Sequence, residues 1–404
     1  MNKLLQIVIE GNTGSTGTIA EGLGNMVIEK GWKSYIAHGR LPRPSNSNII
    51  KIGNFLEIAL HGLETRIFDR HGEGSVLGTK LLIRKIKNIN PDIIHLHHIH
   101  GYYINIKVLF DFLENSCIPV VWTFHDCWSL TGHCSYFDDI GCEKWKKECN
   151  NCPQIRSYPK SLFIDGSKRN FYLKKQIFNS VKNLKIISVS QWLDNLVGQS
   201  FLKLSDHDFI YNGVNTEIFK ESKDLTLIKA KYNLNNKTVL LGVASTWEKR
   251  KGLIDFLELS KFLKPNQKLL LVGLNKKQLL NLPNNIIGIS KTENKQELVD
   301  LYSVSDIFLN PSVEETFGLV TAEALSCGTP AIVYDRTASP EIVDENTGII
   351  VPAKNIKLLY HAILEIEKKG KKFYSQKCRD RVLIMFNEKK NFNKYFDLYK
   401  KLIR

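Results

Sequence analysis

The sequence lacks any apolar run that approaches the roughly 18 residues of a membrane-spanning helix. It also lacks low-complexity and collagen-like tracts, which excludes a fibrous chain and argues against a disordered one. At the N-terminus, Met1–Glu10 has one lysine before a short apolar run and no small-residue cleavage site, so it predicts a first strand rather than a signal peptide. A chain of 404 residues, of which 43% are hydrophobic, can bury a large core, and we expect a soluble, cytoplasmic protein.

Cysteine is scarce outside one region, because five of the eight cysteines lie between residues 127 and 152. Without an export signal, a chain of this size is not expected to carry a disulfide framework. Four thiolates can instead close a tetrahedral zinc site and fold a segment too small for a core of its own. Only one C-x2-C pair is present, so a structural zinc site and reduced buried thiols both stay open. The candidate zinc ligands are Cys134, Cys142, Cys149 and Cys152.

Acidic residues are fewer than basic ones, 41 against 56, which gives a net charge of +15. The excess is densest in Lys368–Arg404, where the aromatic residues have the helical spacing of a buried stripe. A basic excess can serve nucleic acid, an anionic membrane surface or anionic small molecules. We favour two interpretations over a nucleic-acid interface: a solvated charged surface, or peripheral contact of this tail with anionic lipid at the inner face of the cytoplasmic membrane.

The rest of the chain alternates apolar, β-rich runs with amphipathic helical stretches, as in parallel sheets that are flanked by helices. The alternation is interrupted at the turn-rich segment Tyr211–Phe219 and then begins again. The predicted fold class is therefore α/β, with two Rossmann-like, doubly wound parallel-sheet domains that face a central cleft. We expect a first domain at 1–212 with a cysteine-rich insertion at 127–160, and a second domain at 213–385. A C-terminal helix at 386–404 is predicted to pack back on the first domain.

Two glutamates flank a predicted helix start in the second half. A strand at Ile307–Leu309 leads into a loop that carries Glu315. A helix is predicted to begin near Phe317, and Glu323 lies inside it, about 7.5 Å further along the axis. The two carboxylates can therefore bind hydroxyl groups on one extended ligand, with helix N–H groups between them for a diphosphate. A bare pair of glutamates would more simply be a solvated helix surface.

The surrounding stretch from Pro311 to Pro330, PSVEETFGLVTAEALSCGTP, resembles the signature of the retaining glycosyltransferases of family 4, which adopt the two-domain GT-B fold. In that family two glutamates at this separation contact a nucleotide-sugar donor. The resemblance extends along nearly the whole chain. It implies that Glu315 holds the transferred sugar at the catalytic centre and that Glu323 binds the donor. Further donor contacts are implied for Thr316, Phe317, Gly318 and Leu319.

A basic site follows the first strand of the second half, at Lys249-Arg250-Lys251-Gly252. The resemblance implies that this site grips the donor diphosphate, because a fixed cation lowers the barrier to departure of a negatively charged leaving group. Lys251 matches the lysine of the family. The arginine of the family is replaced here by Ser245 or Thr246, and we assign Arg250 as its stand-in.

Two loops are candidates for backbone contacts with the donor. Glycines at 11, 14 and 17 follow the first strand, where they allow close backbone approach and supply N–H groups. The pattern is not a dinucleotide fingerprint and is equally compatible with a tight turn. The resemblance implies a mobile loop that contacts the donor through Gly14 and Gly17. A second loop, centred on Ile289, is expected to offer backbone groups to the nucleobase.

Histidines follow two predicted strands. The segment Asp92–Gly101 contains four, but strand alternation separates His98 from the face of the earlier pair, which argues against a metal site. His125 ends the next strand, where a packed core histidine would be the default interpretation. In the family the equivalent histidine reaches the donor sugar, so the resemblance implies that His125 belongs to the catalytic centre. Asp126 is a candidate for orienting its ring.

The resemblance implies a hexosyltransferase that moves a sugar from a nucleotide-diphosphate carrier to a glycan or lipid-linked acceptor, with retention of configuration. No cofactor or metal is expected in catalysis, because cations and a helix start neutralise the diphosphate. The run Trp128–Cys134 is similar to one in bacterial glycosyltransferases of colanic acid and exopolysaccharide synthesis. This similarity indicates a role in bacterial surface polysaccharide or capsule biosynthesis.

Three alternatives differ in their chemistry. A nucleotide-sugar epimerase on the same fold would consume the donor without an acceptor. A phosphorylase would need a pyridoxal-binding lysine site and a much longer chain, and the sequence offers neither. A zinc-containing nucleic-acid-binding protein is suggested by the charge and the cysteines, and it would bind with steep salt dependence. The spread of the charge and the glutamate signature argue against the last alternative.

Overall fold

The computed structural model describes residues 1–40 and 42–403, and the chain divides into two compact units. Unit 1 comprises Met1–Ile210 together with Phe392–Arg404, and unit 2 comprises Tyr211–Asn391. The division falls next to the boundary predicted after residue 212. Within the described part of the chain, no helix is both long and apolar enough to cross a bilayer.

Unit 1 is built on a parallel sheet of seven strands in the order β3-β2-β1-β4-β5-β6-β7. Its central strands are apolar on both faces because helices cover both sides of the sheet, as is usual for parallel sheets. The strands are β1 (Lys3–Val8), β2 (Lys33–His38), β3 (Asn48–Lys51), β4 (Ile93–Leu96), β5 (Val120–Phe124), β6 (Leu184–Ser188) and β7 (Asp206–Phe209). The helices are α1 (Gly14–Glu29), α2 (Phe55–Phe68), α3 (Val76–Ile89), α4 (Ile106–Glu114), α5 (Ser167–Phe178) and α6 (Gln191–Val197).

Unit 2 repeats the same plan with six parallel strands in the order β10-β9-β8-β11-β12-β13. The strands are β8 (Thr238–Val243), β9 (Gln267–Val272), β10 (Ile286–Ile289), β11 (Ile307–Asn310), β12 (Ala331–Tyr334) and β13 (Gly348–Val351). The helices are α7 (Thr226–Lys231), α8 (Leu253–Leu259), α9 (Lys276–Leu280), α10 (Lys295–Val304), α11 (Leu319–Ser326), α12 (Ser339–Ile342), α13 (Ile356–Lys369) and α14 (Lys371–Met385). Two Rossmann-like, doubly wound parallel sheets are therefore present, and the predicted fold class is confirmed.

The last helix, α15 (Glu388–Leu402), carries the chain back into unit 1. Phe392, Tyr395 and Tyr399 are buried in the core of that unit, among residues of β1, α1 and the central strands. The hydroxyl of Tyr399 lies 2.6 Å from Nδ1 of His95, which gives both buried polar groups a partner. These three aromatic residues of α15 therefore form the buried stripe that the sequence spacing predicts.

Two local expectations need correction. The helix predicted to begin near Phe317 begins at Leu319, because Gly318 adopts a left-handed conformation and ends the preceding loop. The segment expected to form a loop at Gly288–Ser290 belongs largely to a strand, since β10 ends at Ile289. Both differences fall at the ends of elements, where sequence signals are weakest.

Candidate active site

A buried ion pair of unit 2 joins two of the predicted donor residues. Nζ of Lys251 lies 2.5 Å from Oε1 of Glu315, and both side chains are largely buried, with 18% and 10% of their surface exposed. Lys251 ends a short 3-10 helix at Lys249–Lys251, and Glu315 lies in the loop after β11. The two residues are 64 positions apart, so the fold rather than the local sequence brings them together.

Backbone contacts hold the two loops of this site in register. The N–H of Val313 donates to the carbonyl of Arg250 at 2.9 Å, and the Arg250 guanidinium donates to the carbonyl of Glu314 at 3.0 Å. Gly252 has a φ of 75° and lies so close to Pro311 that a Cβ atom would be 2.3 Å from its carbonyl oxygen. Only glycine fits there, and its absence of a side chain sets the position of Lys251 next to Glu315.

The start of α11 lacks the side-chain cap that is common at helix N-termini. Gly318, at φ 100°, is the N-cap, and no side chain caps the first turn. The first N–H groups of the helix therefore remain available for a ligand, as at other helix starts that bind anions. Thr316 and Leu319 are half-buried beside them. The ring of Phe317 is 2% exposed and packs against Tyr211 and Phe386, so Phe317 can offer a ligand its backbone but not its ring.

Glu323 lies on the second turn of α11 and is the second carboxylate of the predicted pair. Its Oε2 accepts a hydrogen bond of 2.9 Å from the hydroxyl of Tyr302, which is fully buried on α10. Removal of the carboxyl from water raises the pKa of Glu323 to about 7, although the hydrogen bond from Tyr302 acts in the opposite direction. A carboxyl group that titrates near neutrality inside a parallel-sheet unit is typical of a functional site.

The remaining predicted residues of unit 2 have mainly structural surroundings. Ile289 is the last residue of β10, and its carbonyl accepts the N–H groups of Gly273 and Leu274 at 2.8 and 3.3 Å. Ser245 and Thr246, at the position of the arginine of the family, are exposed in the bend that follows β8.

The glycine loop of unit 1 lies between β1 and α1. Gly14 begins α1 at φ 65°, and a Cβ atom on Gly17 would lie 2.5 Å from the carbonyl oxygen of Glu10. Glycine at both positions is therefore required by the backbone itself. Thr13, the N-cap residue, makes no side-chain cap, so this helix start also keeps N–H groups for a ligand.

His125 follows β5 and belongs to a buried cluster of rings at the ends of β4 and β5. Its Nε2 lies 3.1 Å from Nδ1 of His97, whose own Nε2 lies 3.1 Å from Oε1 of Gln6. Burial, together with the nearby His97 and His98, holds the pKa of His125 well below its usual value. The ring is therefore neutral at pH 7 and can accept or donate one hydrogen bond through each nitrogen.

Asp126, the candidate for orienting the ring of His125, contacts two further histidines. Its Oδ2 lies 2.9 Å from Nε2 of His100 and 3.3 Å from Nε2 of His98, and its Oδ1 accepts the N–H of Trp128. The carboxylate therefore orients His100, whose Nδ1 is 3.1 Å from the hydroxyl of Tyr158, and its charge also acts on the nearby His125. His98, His100 and Asp126 also place three potential metal-ligand atoms within 4.8 Å of one another. No other such group of three occurs among the described residues.

The four cysteines proposed as zinc ligands line one small cavity of the insertion, and all four are free thiols. Cys134 is buried, and the other three are half-buried. The hydrogen bond from the Cys134 thiol lowers the pKa of Cys152 to about 7. The cavity therefore brings together Cys134, Cys142, Cys149 and Cys152.

Comparison with known proteins identifies the class of the chain. The description "Glycosyltransferase Family 4" matches residues 20–218, and "Glycosyl transferases group 1" matches residues 224–380. These two matches cover most of both units, so the protein is a glycosyltransferase. More narrowly, it belongs to glycosyltransferase family 4, as the signature around Glu315 and Glu323 predicts.

Two relatives act in bacterial polysaccharide synthesis according to their names. The chain is 25% identical to the Escherichia coli K12 protein WcaC, named as a colanic acid biosynthesis glycosyl transferase, over 81% of this chain and 78% of WcaC. It is 27% identical to the O-antigen biosynthesis glycosyltransferase WclY of Escherichia coli, over 54% of this chain and 62% of WclY.

Solved structures share the fold across the full chain. Sucrose-phosphate synthase from Thermosynechococcus elongatus superposes with a TM-score of 0.74 at 17% identity, covering 100% of this chain and 99% of the synthase. Anabaena HepE, solved in complex with UDP-glucose, has a TM-score of 0.69 at 14% identity, covering 99% of this chain and 100% of HepE. The GT-B assignment of the fold rests on these similarities.

Sequence reasoning missed several residues that support the site. Tyr302 fixes the carboxylate of Glu323, and Oγ1 of Thr337 accepts the backbone N–H of Glu315 at 2.9 Å. In unit 1, Gln6 fixes the ring of His97 behind His125. A strand glutamine on an otherwise apolar run was the only visible signal, because the other two residues are remote in sequence from their partners.

Proposed function

We propose that this glycosyltransferase transfers a hexose from a nucleotide-diphosphate sugar to a glycan or lipid-linked acceptor, with retention of configuration, in bacterial surface polysaccharide biosynthesis. The observation that carries the proposal is the buried pair of Lys251 and Glu315 beside a helix start with no side-chain cap. The names of WcaC and WclY support the biological setting, and the complex of HepE with UDP-glucose supports the donor class.

In the proposed complex, the diphosphate of the donor binds the ammonium group of Lys251. A phosphate oxygen then replaces Glu315 as the partner of the ammonium group, and the Glu315 carboxylate becomes free to accept hydrogen bonds from sugar hydroxyls. Arg250 and the first N–H groups of α11 add positive potential around the same anion. The leaving nucleotide gains negative charge as the glycosidic bond breaks, and these fixed groups stabilise that charge without a catalytic metal.

Glu323 is proposed to accept hydrogen bonds from the hydroxyls of the donor ribose. Tyr302 already donates to Oε2, so Oε1 of the same carboxylate remains for the ligand. The neutral ring of His125 is proposed to act in the catalytic centre, where it contacts the transferred sugar. The glycines at 14 and 17 are proposed to give that centre close backbone N–H groups.

The test is donor binding and transfer by single variants. We expect K251A and E323A each to lower transfer by about 100-fold or more, as is usual when one charge-stabilising group is removed. The matched control is K261A, because Lys261 is an exposed lysine of the same unit that pairs with Glu258. Circular dichroism and thermal melting check that each variant is folded, and a thermal-shift panel of uridine and guanosine donors identifies the nucleotide.

Full transfer activity in both K251A and E323A would reject the assigned donor site. Incubation with donor alone separates transfer from epimerisation, because an epimerase would convert the sugar when no acceptor is present. The anomeric configuration of the isolated product, compared with that of the donor, decides retention against inversion.

We also propose that unit 1 contacts an anionic membrane surface, where a lipid-linked acceptor would lie. The support comes from the first two turns of α2 and α3, which expose Phe55, Leu56, Leu60, Leu77 and Leu81. The N–H of Gly78 donates to Glu57 at 3.0 Å, so these two helix starts are neighbours.

Charge on the same helices complements an anionic surface. All four charged residues of α3 are exposed and basic, and α2 adds one exposed arginine, giving Arg66, Lys80, Arg84, Lys85 and Lys87. Apolar residues inserted among lipid headgroups and lysines beside them are the two contributions that peripheral binding needs. In α15, by contrast, the aromatic side chains of the tail are used by the core of unit 1.

A further inference from the structure

The cysteine-rich insertion has no evident part in the transfer reaction. Between β5 and α5, residues 125–166 form only two single-turn 3-10 helices, Trp128–Leu130 and Lys144–Lys146. A segment of this length without strands or longer helices is uncommon in a compact unit and requires another source of order. Its own apolar cluster is small and centres on the stacked rings of Phe137 and Trp145, which are 4.8 Å apart.

The thiols of the insertion receive backbone hydrogen bonds. The N–H of Gly132 donates to the sulfur of Cys149, and the N–H of Gln154 donates to the sulfur of Cys152. Gly132 is required for this arrangement, because a Cβ atom there would lie 1.9 Å from the carbonyl oxygen of Ser167. Donors directed at sulfur stabilise the thiolate more than the thiol, since the thiolate carries the charge.

A buried lysine lies behind the same backbone. Lys174 on α5 is 1% exposed, and its ammonium donates to the carbonyls of Trp128 and Thr131 at 2.7 and 2.9 Å. The carbonyl of Thr131 and the N–H of Gly132 belong to one peptide group. That peptide therefore connects the ammonium of Lys174 on one side to the sulfur of Cys149 on the other.

The Nζ atom of Lys174 lies against dipoles and close to acidic groups. The centroid of the Trp128 ring is 3.3 Å from Nζ, and the two carbonyls accept its hydrogen bonds. Burial lowers the pKa of Lys174 to about 7, and nearby acidic groups act in the opposite direction, namely Cys149, Asp126, Cys134 and Asp69. Two of these four groups are candidate zinc ligands, so thiolates at those positions would add negative charge beside Lys174.

We propose that the insertion binds one zinc ion through the thiolates of Cys134, Cys142, Cys149 and Cys152, and that Lys174 balances part of the resulting negative charge. Four thiolates around a divalent ion leave an excess of two negative charges. Lys174 offsets one of them through the Thr131–Gly132 peptide. The site is structural, because four protein ligands close the coordination shell and leave no position for substrate.

The cavity fits this ion after a local contraction. All four sulfurs line it, and Cys134 and Cys152 are already in hydrogen-bond contact. No three of the described thiols converge within 4.8 Å, so ion binding has to draw them together. His133 lines the same cavity, with Nδ1 bound to Asp69 at 2.6 Å and with a buried Nε2 that has no partner. Because Nδ1 faces the Asp69 carboxylate, Nε2 of the neutral ring is an acceptor, and we assign His133 as a neighbour of the ion rather than a ligand, since the four cysteines complete the ligand set.

The first experiment measures zinc in the full-length chain, purified under reducing conditions and desalted into metal-free buffer. Elemental analysis is expected to find about one zinc per chain in the wild type. C142S and C149S are expected to lose it, whereas C117S, at an exposed cysteine outside the insertion, is expected to keep it. A metal-free wild type that also takes up no added zinc would overturn the proposal. Retention of zinc by both serine variants would do the same.

A second measurement does not depend on the folding of variants. In the wild type, four of the eight thiols should be protected from a thiol-specific reagent while zinc is bound and should become reactive after chelation. Equal reactivity before and after chelation would reject a zinc-thiolate site. Because neither readout uses transferase activity, failure here leaves the proposed transfer reaction untouched.

One variant tests the proposed role of Lys174, and another tests that of His133. K174M removes the charge while it keeps an unbranched side chain, and we expect zinc to pass to a competing chelator at least about tenfold faster than from the wild type. An unchanged rate would reject the charge-balancing role. H133A is expected to keep about one zinc per chain. Loss of zinc from H133A, with full retention in C142S, would mean that His133 takes the place of Cys142 among the ligands.

Discussion

At the scale of single residues, the site combines two carboxylates with different surroundings. Glu315 is held by the ammonium of Lys251, whereas Glu323 receives only a neutral hydroxyl from Tyr302. The first carboxylate therefore has a cationic partner, whereas burial raises the pKa of the second to about 7. A pair of equivalent acids placed in different environments can perform two different tasks on one ligand.

The titration of Glu323 predicts that nucleotide-sugar binding depends on pH. Ribose hydroxyls donate to the ionised carboxylate, so a donor should bind more tightly as the pH rises through 7. If only the ionised form binds, the apparent Kd should fall about tenfold between pH 6 and pH 8. Isothermal calorimetry with the intact nucleotide sugar measures this change, because its diphosphate keeps a constant charge over that range.

The control for this prediction is E323Q, which should bind more weakly and with no dependence on pH between 6 and 8. The buried groups Tyr302 and Cys327 beside Glu323 do not titrate in that range. Burial raises the pKa of Tyr302 well above 10 and that of Cys327 to about 12, and the charge of Lys295 acts to lower the pKa of Glu323. Identical pH profiles for E323Q and the wild type would rule out Glu323 as the titrating group.

The sequence predicted the residues of the candidate site better than it predicted the contacts between them. The signature around Glu315 and the basic run at Lys251 were visible in the sequence, but their ion pair joins positions 64 apart. Tyr302 had no distinguishing signal, since a buried tyrosine on an amphipathic helix is an ordinary core residue. Phe317 shows the reverse, because a conspicuous motif residue proves to be packed in the core.

At the scale of elements, the hydrophobic signal of a strand in the sequence is least dependable at the four sheet edges. β3 and β7 end the sheet of unit 1, and β10 and β13 end that of unit 2. An edge strand is covered on fewer sides, so it needs no continuous apolar run, as the sequence DHDF of β7 illustrates. Central strands such as β1 are buried on both faces and were therefore recognisable from hydrophobicity alone.

Helix α15 offers a stability test at this scale. Phe392 is 7% exposed and packs so closely on α1 that a Cβ atom on Gly22 would lie 2.4 Å from its ring. F392A should therefore lower the free energy of unfolding of unit 1 by about 3–5 kcal/mol, the usual cost of removing a buried phenylalanine. Differential scanning calorimetry, with the two units followed as separate transitions, measures the effect.

The matched control for F392A is F373A, which changes a phenylalanine on α14 that is half exposed. We expect its effect to stay below about 1 kcal/mol, because little buried surface is lost. If F392A destabilised only the transition of unit 2, the placement of the last helix in the core of unit 1 would be wrong.

At the scale of the whole molecule, the two units follow one topological plan but carry different chemistry. In both sheets the strand order reverses at the equivalent place, between β1 and β4 in unit 1 and between β8 and β11 in unit 2. Unit 2 carries the acids, the cations and the helix start of the proposed donor site, whereas unit 1 carries buried histidine rings and an exposed apolar face. Periodicity predicted the shared plan, but it could not predict the exposed face, because an apolar residue of an amphipathic helix is normally assigned to the core.

The exposed face of α2 and α3 predicts binding to anionic lipid vesicles. Leu56 and Leu60 are 70% and 65% exposed, so replacing both by glutamate should leave the fold intact. Each buried leucine contributes about 1.5–3 kcal/mol, and the added charges are repelled by the lipid, so L56E/L60E should bind vesicles containing phosphatidylglycerol at least about tenfold more weakly. Vesicle co-sedimentation measures the partition of the full chain.

The double variant L204E/L280E is the appropriate comparison, because it adds the same charge at leucines that are 90% and 86% exposed elsewhere on the chain. It should bind vesicles like the wild type apart from a small loss due to net charge. Binding of the wild type should also weaken with salt and be absent on phosphatidylcholine vesicles, since the basic residues of α3 require an anionic partner. Equal losses in the two double variants would mean that net charge alone governs the interaction. In that case the apolar face would have another occupant, and the acceptor would have to reach unit 1 without a membrane contact at these helices.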